Sequence, residues 1–147
     1  MLIDLQNEFS NAQSVTATAA SQHVIDLSQT GRNIGSNGGS TDLLVVFTVT
    51  TAFVGAAGTI TPSLQTDDAV GFGSATTIRT YDTIPTLSPI GTKRVYELDP
   101  FNDAGLFKRY IRILYTVAGT LSASGITAHL VNGAQIWRAY PSGVTIA

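Results

Sequence analysis

The chain has 147 residues, 44% of them hydrophobic and only 12% charged, so a single domain with its own core is expected, needing neither disulfide nor metal to fold. Eight basic residues against ten acidic ones give a formal net charge of −2, which excludes binding to nucleic acid through its phosphates. The absence of Cys excludes zinc ribbons, thiol catalysis and a disulfide framework.

With so few charges, the surface must be finished by other polar groups, and the 20 Thr and 12 Ser supply them beside 14 Gly. β-Branched side chains suit a pleated surface and Gly serves tight turns, so the composition is that of a β protein. Residues Met1 to Gln6 carry Asp4 where a signal peptide wants positive charge, and no secretory targeting is read from them. The longest apolar stretch, Leu43 to Ala57, is studded with Thr and falls short of the roughly 20 residues that span a bilayer. No membrane partner is expected.

In chain order, Met1 to Gln13 holds Leu2, Ile3, Leu5 and Phe9 without two-fold alternation, as an arm or a short helical turn would. Weak strand signals follow at 14–20 and 24–27, then a polar loop from Gly31 to Ser40. Leu43 to Phe53 is the strongest strand, with Val45, Phe47 and Val49 on one face and Val46, Thr48 and Thr50 on the other. Thr59 to Thr66 alternates again with Ile60, Pro62 and Leu64 inward; Pro62 cannot donate to a ladder, so an edge strand or a bulge is expected there. Asp67-Asp68 through Gly73 is turn chemistry. Shorter strands are expected over 76–81 and 94–98. The segment 110–117 is cleanly two-periodic, with Ile111, Ile113, Tyr115 and Val117 on one face. Gly119 turns the chain into one or two last strands between Leu121 and Val131.

Strands recurring every 10–15 residues between Gly/Pro turns, with no helical period, predict an all-β antiparallel sandwich. About eight strands fit a jelly roll. The predicted organisation is an N-terminal arm (1–13), the sandwich (14–133) and a C-terminal aromatic arm (134–147). That last segment carries Trp137, Arg138 and Tyr140; apolar, aromatic termini are tied down either by the domain's own core or by a neighbouring subunit.

No active site emerges. His129 lies in a strand on the face opposite Ile126, Ala128 and Leu130, and neither it nor His23 has a Cys or a Gly-x-Ser-x-Gly elbow to work with; a surface or interface position is expected for His129. Asp67-Asp68 is the one adjacent carboxylate pair, and its setting between a strand and a Gly-rich stretch favours a turn cap over calcium. The glycines at 71 and 73 and in the 31–39 loop lack the strand–helix setting that cradles phosphate. No enzyme, metal or cofactor is expected. Five of the eight basic residues, Lys93, Arg94, Lys108, Arg109 and Arg112, fall close together. They read either as gatekeepers flanking apolar strands or as a docking patch for an acidic protein surface.

The chain resembles the capsid cement (decoration) proteins of tailed bacteriophages, of the small jelly-roll type first associated with a Bordetella phage. Three stretches carry the resemblance: residues 1–21 leading into Val24–Leu27; Ser63 to Asp68 ahead of Phe72 and Thr76–Ile78; and Arg109 to Thr120 running into Ile126–Val131. The resemblance implies a virion protein on the outer surface of an icosahedral shell, made in the host cytoplasm and seated where capsomers meet after expansion. The partners it implies are the phage major capsid protein and further copies of the chain, as a homodimer or homotrimer. Leu2, Ile3, Leu5, Phe9, Lys93, Arg94, Lys108, Arg109, Arg112, Trp137, Arg138 and Tyr140 are the expected interface residues. The alternative is a carbohydrate- or receptor-binding jelly roll of a phage tail or adhesin, with Trp137, Arg138 and Tyr140 as a sugar platform.

Overall fold

The computed structural model describes residues 7–27, 43–98 and 107–132. They form nine strands and no α-helix: β1 (Glu8–Gln13), β2 (Ala19–Ala20), β3 (Ile25–Asp26), β4 (Leu43–Val54), β5 (Thr59–Asp67), β6 (Thr76–Thr80), β7 (Lys93–Glu97), β8 (Tyr110–Ala118) and β9 (Ala123–Asn132). One sheet has the order β1-β9-β4-β7 and the other β2-β8-β5-β6, with β3 also on β8. Every pairing between these strands is antiparallel. β2 and β3 are one strand interrupted: Ala20 faces Leu114 and Ile25 faces Ile111 along the same edge of β8. Counted so, eight strands fill two four-stranded sheets in the double Greek-key order of a jelly roll, each strand changing sheet from the one before except β6, which pairs directly with β5.

The alternation seen in the sequence builds the core. Val45, Phe47 and Val49 of β4 meet Ile60 and Leu64 of β5 and Ile111, Ile113 and Tyr115 of β8 between the sheets, all buried. Each such side chain contributes about 1.5–3 kcal/mol by leaving water. At one side of the sandwich Phe47 meets Tyr81 and Tyr96 edge to face at 5.2 and 6.1 Å, and the two tyrosine rings lie 4.8 Å apart, tilted by 35°. At one end the turn after β4 packs backbone to backbone on the turn after β8. Gly119 there has φ +75°, and a Cβ on it would lie 2.5 Å from the Ala57 carbonyl oxygen, so only Gly fits.

Three expectations change. Residues 8–13 are no arm: they are β1, paired with β9 through two register shifts, and Ala12 sits at φ +47°. Those bulges put consecutive residues on one face and erase the two-fold period that would have announced a strand. Pro62 lies in a central strand, not an edge strand. The N–H and C=O of Ile60 exchange with Ile84, and the Pro62 carbonyl accepts the Tyr81 N–H on the same side. The missing donor therefore faces the gap between β6 and Ile84, where no ladder needs it; a register shift does follow at Leu64/Gln65. His129 is buried at 2% exposure, not a surface residue. The polar loop at 31–40 and the arms at 1–6 and 134–147 lie outside the described residues.

Candidate interaction surface

The five clustered basic residues separate onto the two sheets. Arg112 faces outward from β8, where its Nε donates to Gln65 Oε1 at 3.0 Å and its guanidinium stacks 4.1 Å from the centroid of the Phe72 ring. Burial under that ring pushes its pKa down. Phe72 reaches this position because the loop after β5 is closed by Asp67. The carboxylate accepts the N–H groups of Ala69 at 3.2 Å and Ser74 at 2.8 Å, and these bonds hold the carboxyl below its usual pKa. The turn-cap reading of Asp67-Asp68 stands.

Arg109 forms a two-pronged pair with Asp26 at 3.1 and 2.9 Å, tying β3 to the start of β8, and stacks on Tyr110 at 4.8 Å. Lys108 lies 3.4 Å from Asp68. These three cations have partners within the fold. Lys93 and Arg94 are different: both are exposed on β7, an edge strand of the other sheet. The five residues thus make no single docking patch.

Among the other expected contacts, Phe9 is fully buried in the core and serves the sandwich rather than an external partner. Leu2, Ile3, Leu5, Trp137, Arg138 and Tyr140 lie outside the described residues.

One surface was not foreseen. On the outer face of the first sheet a transverse row runs from Glu8 through His129 and Val46 to Val95, crossing all four strands. Glu8, His129 and Val46 are buried, whereas Val95, at the open end of the row, is 48% exposed. Neither ring nitrogen of His129 has a hydrogen-bond partner. Burial lowers its pKa, opposed by Glu8 and reinforced by Lys93. Glu8 in turn lies 3.6 Å from His23. Among the described residues no three His, Asp or Glu side chains gather as a metal site. The sequence held a signal for this face: Leu44-Val-Val46 is a continuous apolar run, which a strand with one wet face does not need.

Further exposed large apolar side chains precede Val95 in the chain. Leu87, Ile90 and Val95 are 79%, 69% and 48% exposed. They belong to the stretch that covers the outer edge of β4, held there by Phe53 N–H to Ser88 O and Gly91 N–H to Val49 O.

The model of the Bbp16 family matches residues 9–130, from β1 into β9. The chain belongs to the Bbp16 family. The family is phage-related, so the membership agrees with the bacteriophage resemblance of the sequence. No curated protein matches the chain.

Proposed function

We propose that this Bbp16-family chain is a structural virion protein that binds the outer surface of an icosahedral phage capsid at capsomer junctions and stabilises the expanded shell. The observation that carries the reading is the family match, which extends over the whole sandwich rather than one motif. The jelly roll supports it physically. A sandwich in which Lys108, Arg109 and Arg112 are spent on partners within its own fold needs only modest contacts to each neighbour if several copies grip the shell together. An interface of about 800 Å² per partner is ordinary for specific association. Linking two such contacts raises apparent affinity by ~10²–10⁴ without any exceptional single contact. The partners in this reading are the major capsid protein and further copies of the chain, and its action is mechanical rather than catalytic.

Co-sedimentation of the purified protein with expanded and unexpanded empty phage heads tests the proposal. Saturable binding to expanded heads, with heads so loaded surviving heat or osmotic shock better than bare ones, is expected. Protein that stays in the supernatant with both kinds of head overturns it.

A further inference from the structure

The strand β7 is built to pair with itself, and we propose that the edge of β7 is a dimerisation surface whose occupant is β7 of a second copy of this chain, running antiparallel with Val95 on the two-fold axis. The inference deepens the homo-oligomer part of the proposed function and names its surface.

Backbone geometry sets which groups are available. Leu98 N–H donates to Leu43 O, and Val49 N–H donates to Thr92 O. In the register that pairs Val45 with Tyr96 and Phe47 with Arg94, the even-numbered residues of β7 therefore spend their N–H and C=O groups on β4. Those of Lys93, Val95 and Glu97 point away from the sheet, and no strand among the described residues pairs with that edge. Among the described residues only the Glu97 carbonyl is met, by exposed Arg79 at 2.9 Å, and a carbonyl has a second lone pair to offer.

An antiparallel partner that uses these odd-numbered groups can adopt a few registers, and side-chain charge selects among them. Centring on Lys93 sets Lys against Lys, and centring on Arg94 sets Arg against Arg. Centring on Val95 places Lys93 opposite Glu97 of the second copy, twice by symmetry, with Arg94 opposite Tyr96 and Val95 opposite Val95. Opposite charges meet, a cation meets an aromatic ring, and the exposed valines bury each other. The apolar row that ends at Val95 then continues into the second copy.

The other edges are not built for this. β1 is bulged, β2 and β3 are interrupted, and β6 pairs with β5 through a register shift; bulged and broken edges resist addition. β7 pairs with β4 residue for residue. Its exposed Val95 invites a strand, and its charges restrict which strand is accepted.

The test is a charge swap read by sedimentation velocity over a concentration series, without phage heads, so that its failure is distinct from a failure to bind capsids. The wild type is expected to dimerise reversibly. Lys93→Glu and Glu97→Lys each turn two attractive pairs into two repulsive ones, and each should weaken dimerisation on the order of 10- to 100-fold. The double variant Lys93→Glu/Glu97→Lys should dimerise like wild type. An equimolar mixture of the two single variants should form heterodimers more strongly than either forms homodimers. Thermal melting of each variant as a monomer shows that the fold is intact. A wild type that stays monomeric at all concentrations overturns the proposal, as does a dimer indifferent to both single reversals. A monomeric wild type that saturates expanded heads and loses that binding on Lys93→Glu assigns the β7 edge to a strand of the shell protein instead.

Discussion

At one edge of the β1-β9-β4-β7 sheet, β1 gives its outward backbone groups to the chain that follows it. Asn11 N–H donates to Gln22 Oε1 and Phe9 C=O accepts from His23 N–H, while the Gln13 side chain adds a bond from Nε2 to the Ala20 carbonyl. At the opposite edge, Lys93, Val95 and Glu97 of β7 hold theirs outward; among the described residues only the Glu97 carbonyl is met, by Arg79, and the Val95 side chain is half exposed. The difference teaches what each edge is for. An edge consumed by its own chain adds to the stability of the monomer, because breaking it exposes core. An edge left regular and half apolar adds little to the monomer and is available to another strand.

Truncation at the closed edge should have the largest effect. Phe9 is fully buried among the core residues, so Phe9→Ala should cost about 3–5 kcal/mol, through lost transfer energy and a cavity that the bulged strand cannot collapse. Urea unfolding followed by circular dichroism reads this directly. A loss under 1 kcal/mol would mean that β1 is peripheral after all.

The second prediction sharpens the same edge at one hydrogen bond. Ser10 Oγ and Tyr115 Oη lie 2.5 Å apart, both buried, joining β1 to the opposite sheet. Burial raises the Tyr115 pKa despite the bond. Ser10→Ala leaves a phenol in the core without its partner and should cost about 1–3 kcal/mol. Adding Tyr115→Phe should recover most of that loss, since removing both partners leaves nothing unsatisfied. If the double variant is no better than the single, the bond is not what holds the edge.

How much of this was legible depends on the element. β4, β5 and β8 could be read because their inward and outward residues alternate without interruption: Ile111, Ile113 and Tyr115 are buried as their period requires. β1 could not be read, because its bulges break the period while leaving Phe9 in the core. Basic residues close in sequence looked like one patch because a sequence does not show which sheet a strand joins; β7 and β8 are consecutive but enter different sheets. The partners of Arg109 and Arg112, Asp26 and Gln65, lie 83 and 47 residues away, beyond any local pattern. The self-complementary run Lys93 to Glu97 was present in the sequence, yet it acquires meaning only when β7 is known to be an edge.

A smaller effect is expected at the centre of the transverse row, where His129 is buried without a hydrogen-bond partner. Its pKa is lowered by burial, so the unfolded chain takes up a proton near the ordinary value of about 6.5 while the folded chain does not. The contribution of His129 to stability is therefore fully present above that value and is lost as pH falls from it toward the lower folded value. His129→Gln, which cannot titrate, should flatten the fall in urea midpoint between pH 7.5 and 5.5. An unchanged slope would place the titration in another group.

The smallest effect should come at the open edge, and it completes the contrast with Phe9. Val95→Thr keeps the β-branched shape that a strand prefers and removes only an apolar tip that is 48% exposed. Monomer stability measured at high dilution should change by no more than about 0.5 kcal/mol, as for surface substitutions generally. Association should nevertheless weaken, because the same methyl group would lie on the two-fold axis, against its copy. A variant that destabilises the monomer by more than about 1.5 kcal/mol would show Val95 working within its own sheet, and the two edges would then differ in degree rather than in purpose.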